Sequence, residues 1–263
     1  MNGLGSHRRH PAAILILLLL GLVATGGLYS LLAPRPAQAA VGTADDMSAG
    51  KKLFLANCAT CHGISGTGGK AGAVPTLLGV GAAAVDFQVG TGRMPLAGTG
   101  LPQAPRGNKV MFTQTQIASL AAYVATLGPG PSIPDSQYTN GDGSIARGNE
   151  LFKVNCAMCH NFAGSGGALT RGKYAPSLRN VTGTHIYEAM ATGPQSMPVF
   201  NDQNLSPTDK NDIISYLHDL DKNKNPGGLS LGNLGPVSEG MFVWIFGLGL
   251  MIGAAVWLGS KAA

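Results

Sequence analysis

Charged residues are scarce in this chain of 263 residues, where Asp, Glu, Lys and Arg together make up only 12%. The formal net charge is +5, but residues 40–225 hold 14 basic against 12 acidic side chains, a net charge of only +2. A protein that binds nucleic acid concentrates lysine and arginine in a patch or along a stripe. Because the sequence contains no such stripe, we expect no nucleic-acid partner.

The chain also lacks the side-chain patterns that mark most catalytic sites. It contains no carboxylate pair, no nucleophile constellation and no phosphate-binding loop that could be defended as catalytic. There are only four cysteines, all in two Cys-x-x-Cys pairs, so none remains for a disulfide or a nucleophile. Glycine (39 residues) and proline (16 residues) are abundant, which suits short helices joined by long loops.

The two cysteine pairs each continue into a histidine. Cys58 and Cys61 are followed by His62, and Cys156 and Cys159 by His160. This Cys-x-x-Cys-His pattern is the attachment signature of c-type haem. One helical turn places both thiols where they form thioethers with the haem vinyl groups, and the adjacent histidine lies under the iron. The sequence therefore predicts two covalently bound haem c groups, with His62 and His160 as the first axial ligands.

Paired cysteines also occur in two other kinds of site. Four thiolates can form a tetrahedral zinc site, and a single pair can be a redox-active dithiol. Neither needs a histidine directly after the second cysteine. Neither explains why the pairs recur in similar surroundings, GKKLFLANCATCHG and GNELFKVNCAMCHN.

The chain repeats itself around these motifs. We define the first module as residues 42–127 and the second as residues 146–222, joined by a linker at 128–145. Pro75, Met94-Pro95 and Tyr123 of the first module reappear in the same order in the second as Pro176, Met197-Pro198 and Tyr216. Ordered self-similarity of this kind indicates duplication.

Four glycines and three prolines between residues 128 and 143 argue against a helix or a central strand in the linker. We expect the relative position of the modules to depend on contacts outside the linker or on partners.

The second axial ligand is predicted to be a methionine in each module. Met94 and Met197 each precede a proline and follow a Thr-Gly pair. A thioether opposite histidine raises the reduction potential and suits electron transfer. The rival thioethers are Met111, Met158 and Met190, which we expect to be core side chains. His185 and His218 are lone histidines and are expected to be structural, while the Pro75 carbonyl is the candidate partner of the His62 ring.

Helix signals flank each haem motif. Residues 51–57 predict a short helix with Leu53 and Phe54 on its apolar side, and Thr113 with Gln116 predicts a capping box before a helix that ends near Leu127. These two helices should pack across each other. In the second module Ser206, Pro207 and Asp209 mark the start of the corresponding final helix.

Both ends of the chain are apolar. Residues 1–40 combine a basic cluster with an apolar run from Ala12 to Ala33, which predicts either a signal peptide or an N-terminal membrane anchor. A second Gly/Pro/Asn-rich linker, residues 223–240, leads into the apolar segment 241–259, which predicts a transmembrane helix with its C-terminus in the cytoplasm. The expected fold is thus mostly α: two tandem class I-type cytochrome c domains outside the cell membrane, with a C-terminal transmembrane helix.

The whole pattern resembles the dihaem cytochrome c subunit of the actinobacterial cytochrome bc complex, a menaquinol:cytochrome c oxidoreductase. The resemblance rests on the six motif cysteines and histidines, on the two Met-Pro sites, and on segments such as LFKVNCAMCHNFAG and GGALTRGKYAPSL. It implies cytochrome b and a Rieske iron–sulfur protein as partner subunits. It also implies that the second haem passes electrons to the copper centre of cytochrome c oxidase in a supercomplex. On this interpretation the chain is an electron-transfer subunit without a catalytic site of its own.

Two alternatives share the haem motifs. One is a dihaem electron-accepting subunit of a different membrane-bound dehydrogenase. The other is a dihaem peroxidase, which is an enzyme and requires one five-coordinate iron. Carbon monoxide binding to the unmodified protein would favour the peroxidase, and copurification with cytochrome b would favour the quinol-oxidising complex.

Overall fold

The computed structural model describes residues 11–32, 43–69, 74–96, 109–222 and 236–261, and the regular elements in them are mostly helices. The α-helices are α1 (Pro11–Leu32), α2 (Ala44–Asn57), α3 (Ala59–His62), α4 (Gly81–Gly90), α5 (Gln114–Ala125), α6 (Ile145–Asn155), α7 (Ala157–His160), α8 (Gly183–Thr192), α9 (Pro207–Lys222), α10 (Pro236–Val243) and α11 (Gly249–Lys261). Two short strands, β1 (Gly167–Ala168) and β2 (Tyr174–Ala175), pair antiparallel in the second module. Single 3₁₀ turns lie at Ser136–Tyr138 and Thr170–Gly172.

The first module is built on the crossing of α2 and α5. Helix α2 begins at Ala44, earlier than predicted, because Thr43 and Asp46 form a capping box that satisfies its first backbone amides. The crossing is close at Gly50, where a Cβ would lie only 1.9 Å from the Ser119 carbonyl oxygen. Phe54 is fully buried beside it. The predicted packing of these two helices is confirmed, as is the Thr113–Gln116 capping box of α5.

The second module repeats this crossing with α6 and α9. A Cβ at Gly148 would lie 1.9 Å from the Asp212 carbonyl oxygen, which matches Gly50 in the first module. Ser206 accepts a hydrogen bond from the amide of Asp209, and its own amide donates to the Asp209 carboxylate. The predicted helix start is therefore confirmed. Each module has its own core cluster, so each buries apolar surface independently.

Helices α4 and α8 were not anticipated from the sequence. Each lies between the haem motif and the Met-Pro site of its module, and the two helices pack against each other. The ring of Phe87 on α4 meets the ring of His185 on α8 edge to face, with centroids 6.2 Å apart. Glu188 of α8 is buried at this contact. Its burial, reinforced by the charge of Asp86 and a hydrogen bond to it, raises the pKa of Glu188 to about 10.

The linker contacts both modules rather than only joining them. The Pro131 carbonyl accepts a hydrogen bond from the Ala83 amide at the start of α4. On the other side, the Asn211 side chain accepts from the Gly141 amide and donates to the Gln137 carbonyl and the Asp142 side chain. The linker is thus hydrogen-bonded to both modules and helps to set their relative position. The expectation that this position depends on contacts outside the linker is therefore incomplete.

Two long apolar helices lie at the ends of the described chain. Residues Ala12–Leu31 and Ser238–Lys261 are each long and apolar enough to cross a membrane, and neither span is buried in the protein. The second span runs through α10, a π-helical turn at Trp244–Leu248 and α11. The predicted segment 241–259 therefore lies within a somewhat longer helix.

Candidate haem sites

The two Cys-x-x-Cys-His motifs fold in the same way. The amide of Cys58 donates to the Phe54 carbonyl at 2.8 Å and thereby ends α2, and the amide of His62 donates to the Cys58 carbonyl at 2.9 Å to close α3. In the second module the corresponding bonds, from Cys156 to Phe152 and from His160 to Cys156, have the same lengths of 2.8 and 2.9 Å. Each motif is thus one helical turn that directly follows a longer helix anchored in the core by a buried phenylalanine.

Both motif histidines are oriented by a proline carbonyl. His62 Nδ1 lies 2.9 Å from the Pro75 carbonyl oxygen, and His160 Nδ1 lies 2.9 Å from that of Pro176. A carbonyl only accepts, so Nδ1 carries the proton and Nε2 keeps the lone pair that a metal needs. The prediction for Pro75 is confirmed, and the second module shows the same contact. Burial lowers the pKa of His160, against a smaller opposing effect of the Pro176 carbonyl, which favours the neutral imidazole.

A glycine six residues after each histidine holds this arrangement together. Gly68 and Gly166 donate their amides to the carbonyls of His62 and His160, both at 2.8 Å, and both have positive φ angles, +88° and +76°. A Cβ at Gly166 would lie 2.4 Å from the Ala175 carbonyl oxygen and 2.7 Å from the Pro176 carbonyl carbon. Sequence reasoning missed these residues. Their identical spacing from the histidines in the two repeats is the signal that could have found them.

The predicted methionines pack against the same cores as the motif cysteines. Met94 and Cys58 both contact the first core cluster, which contains Phe54 and Ile117. Met197 contacts the second cluster, which includes Cys156. Each module thus brings its predicted thioether and its first motif cysteine to one core.

The rival side chains have other environments. The prediction of core packing is wrong for Met111 and Met158, whose side chains are 68% and 89% exposed. It is confirmed for Met190, which is only 2% exposed and is a member of the second core cluster. His218 has Nε2 3.3 Å from the Val181 carbonyl oxygen, and His185 lies at the α4–α8 contact. Ligation of iron by Met94 and Met197 stays a prediction.

The first thiol of each motif does not have the low pKa of a redox-active cysteine. Burial raises the pKa of Cys58, and it raises the pKa of Cys156 to about 12, with the neighbouring Cys61 and Cys159 adding to the effect. A redox-active cysteine instead needs a low pKa, which makes its thiolate available. Each module has two thiols, an imidazole whose Nδ1 is bound to a proline carbonyl, and a methionine at the same core. This set of side chains fits a haem c group better than a zinc site or a redox-active dithiol.

Models of known families match both modules. The cytochrome c family matches residues 47–128. The family described as cytochrome c oxidase, cbb3-type, subunit III matches residues 143–217. The two matches divide the chain at the same linker as its internal repeat.

Curated relatives match nearly the whole chain. A protein of Mycobacterium leprae is 45% identical over 260 residues, which cover 94% of this chain and 87% of the relative. A protein of Mycobacterium tuberculosis strain H37Rv is 45% identical over 262 residues, covering 94% and 90%, and one of Corynebacterium efficiens is 42% identical over 272 residues, covering 97% and 90%. All three are named cytochrome bc1 complex cytochrome c subunit.

Proposed function

Because this chain belongs to the family of cytochrome c subunits of cytochrome bc1 complexes, we propose that it relays electrons from the Rieske iron–sulfur protein towards cytochrome c oxidase. The coarser function follows from the family: the chain is a c-type cytochrome of the respiratory chain, and its cytochrome c domains imply covalently bound haem c. The route of the electrons, the number of haems and the ligand residues are the proposal.

In the proposed relay each module holds one haem. Cys58 and Cys61 attach the first, with His62 and Met94 as its axial ligands. The second is held by Cys156 and Cys159 through thioethers and by His160 and Met197 at the iron. Bound in this way, haem supplies one-electron redox chemistry, and the protein sets its potential and position.

The repeated histidine geometry carries this proposal. The same 2.9 Å contact between Nδ1 and a proline carbonyl occurs in both modules. Such a contact fixes the tautomer and ring orientation of a metal-binding histidine and raises its basicity. A zinc site built from thiolates has no use for it, whereas a haem ligand does.

The methionines determine what kind of haem protein this is. A thioether on the sixth position closes the iron to small ligands and favours electron transfer over substrate chemistry. Since both modules offer a methionine beside the core that contacts the motif cysteine, we infer that neither module has an independent catalytic site. The enzyme activity then belongs to the quinol:cytochrome c oxidoreductase of which the chain is a subunit.

The proposed setting is the outer face of the cell membrane. Basic residues precede the first apolar helix, so its N-terminus faces the cytoplasm and the modules lie outside. The second apolar helix then returns the C-terminus to the cytoplasm. Cytochrome b and the Rieske protein are the proposed neighbours on the electron-donating side. The copper-centre subunit of cytochrome c oxidase is the proposed acceptor.

Purification of the native complex in mild detergent tests this function. Cytochrome b and Rieske subunits should copurify with the chain, and a quinol should reduce both of its haems. Reduction should stop when an inhibitor of quinol oxidation is added. Copurification with a different dehydrogenase instead, or haem that stays oxidised with quinol, would contradict the proposed route. Carbon monoxide binding to the unmodified protein would indicate a peroxidase with an open iron.

A further inference from the structure

A buried cation lies next to the predicted axial methionine of the first module. Arg93 directly precedes Met94, and only 8% of Arg93 is exposed to solvent. Its guanidinium carbon lies 4.7 Å from the centre of the Phe87 ring, and the ring face stabilises the cation. Since an arginine side chain stays protonated in proteins, the first module carries a permanent positive charge at this position.

The backbone holds Arg93 and Met94 together at the end of α4. The amides of both residues donate to the Gln88 carbonyl, each at 2.9 Å, and Gly92 turns the chain with a φ of +70°. From this turn Met94 packs against the first core cluster, while the Arg93 side chain lies on the Phe87 ring of the same helix. Because the turn fixes both residues, the charge stays close to the methionine.

The second module has a different environment at the matching position. Ser196 precedes Met197, and its side chain is exposed. Lys173 Nζ donates a hydrogen bond to the Ser196 hydroxyl at 2.6 Å, so a cation is present here too, but Lys173 is also exposed. Salt and water screen an exposed charge much more strongly than a buried one. The positive charge beside the methionine should therefore act more strongly in the first module than in the second.

We infer that Arg93 raises the reduction potential of the first haem, an inference that rests on the proposed ligation of that haem by Met94. Oxidised haem iron carries one more positive charge than reduced iron, so a fixed cation nearby disfavours the oxidised form. At an effective dielectric constant of about 20, a unit charge roughly 10 Å away changes such an equilibrium about tenfold. For a one-electron couple a tenfold change equals about 59 mV. Arg93 thus makes the first haem a better electron acceptor through its charge alone.

Redox titration of the full-length haem protein in detergent tests this inference. The titrations are made in a Met197→Ala background, because loss of that thioether lowers the potential of the second haem and separates its signal from that of the first. Arg93→Gln removes the charge and should lower the potential of the first haem by about 59 mV, the equivalent of a tenfold change. Arg93→Lys keeps the charge, and its potential should stay closer to that of the parent protein than to that of Arg93→Gln.

Lys173→Gln is the matched control, because it removes an exposed cation beside the other methionine. In a Met94→Ala background it should shift the potential of the second haem by less than half of the shift that Arg93→Gln causes in the first. Unchanged absorption of both haems should show that every variant is folded. A shift of equal size in Lys173→Gln would overturn the inference, since burial of the charge would then have no effect.

Two further results would overturn it. One is a potential of the first haem that is the same in Arg93→Gln and its parent, or that falls equally in Arg93→Lys and Arg93→Gln. The other is carbon monoxide binding by Arg93→Gln with Met197 intact, which would mean that the arginine only positions Met94. If Met94→Ala opens the first haem to carbon monoxide while Arg93→Gln leaves its potential unchanged, the inference fails and the proposed ligation stands.

Discussion

At the scale of single residues, the contact between a histidine ring and a proline carbonyl depends on a glycine. The Gly166 backbone has a φ of +76° and leaves no room for a Cβ beside Ala175 and Pro176. Gly166→Ala should displace the Pro176 carbonyl from His160 and make the imidazole a weaker base. Because a less basic ligand stabilises oxidised iron less, the reduction potential of the second haem should rise, as measured by redox titration.

The neighbouring residue supplies the control for this experiment. A Cβ at Gly167 would meet nothing within 4 Å, so Gly167→Ala should leave the potential unchanged. If Gly166→Ala and Gly167→Ala gave the same potential as the wild type, the carbonyl contact would have no influence on the iron ligand. Gly68→Ala should act in the same way on the first haem alone.

The predicted role of the methionines as axial ligands can be tested by removing their thioethers. Met94→Ala and Met197→Ala should each lower the potential of one haem and expose that haem to carbon monoxide, because the sixth position loses its thioether. Absorption spectra of the reduced protein under carbon monoxide would show this. Met111→Ala and Met158→Ala are matched controls in the same modules, since both side chains are largely exposed. Carbon monoxide binding in either control variant would mean that the ligands are assigned wrongly.

At the scale of elements, each module depends on two helices that cross at a glycine. Gly50→Ala would push α2 away from the Ser119 carbonyl, and Gly148→Ala would push α6 away from Asp212. Overpacking of this kind typically costs about 1–3 kcal/mol and sometimes more. We expect each substitution to lower the thermal stability of its own module. Thermal unfolding of each module can be measured through the absorption of its haem.

The adjacent residue again provides a control for the crossing. Lys51 is exposed on α2, and Lys51→Ala should change the stability of the first module by less than about 0.5 kcal/mol. Both substitutions introduce alanine, which favours a helix. A loss of stability in Lys51→Ala as large as that in Gly50→Ala would therefore show that the close crossing is not responsible.

The elements also show which parts of the structure could be read from the sequence. The haem motifs and the caps at Thr113 and Ser206 were predictable because their chemistry lies in a few consecutive residues. Helix α4 was not, since its sequence GAAAVDFQVG has a glycine at each end and is buried on more than one side, which leaves no clear apolar stripe.

The Asp86–His185–Glu188 cluster escaped prediction for a different reason. It joins residues about a hundred positions apart through a contact between the two modules, and no local pattern encodes such a contact. His185 alone reads as an ordinary structural histidine. The burial of Glu188 is visible only once α8 is packed on α4.

At the scale of the whole molecule, two apolar helices flank the haem modules and define a topology. An epitope tag placed after the C-terminus should be protected from added protease in intact cells, because the proposed topology ends the second span in the cytoplasm. The modules, which this proposal places on the outer face, should be cleaved in spheroplasts under the same conditions. Permeabilised cells serve as the control in which the tag must become accessible. A tag that is cleaved in intact cells would contradict the proposed orientation.

The central claim is that each Cys-x-x-Cys-His motif of this chain carries one haem, and a haem count tests it most directly. Intact mass spectrometry of the purified chain, combined with a pyridine haemochrome assay, measures covalent haem per polypeptide. The proposed arrangement predicts two, attached at Cys58 and Cys61 and at Cys156 and Cys159. One haem per chain, or zinc bound to the cysteines in place of haem, would contradict it.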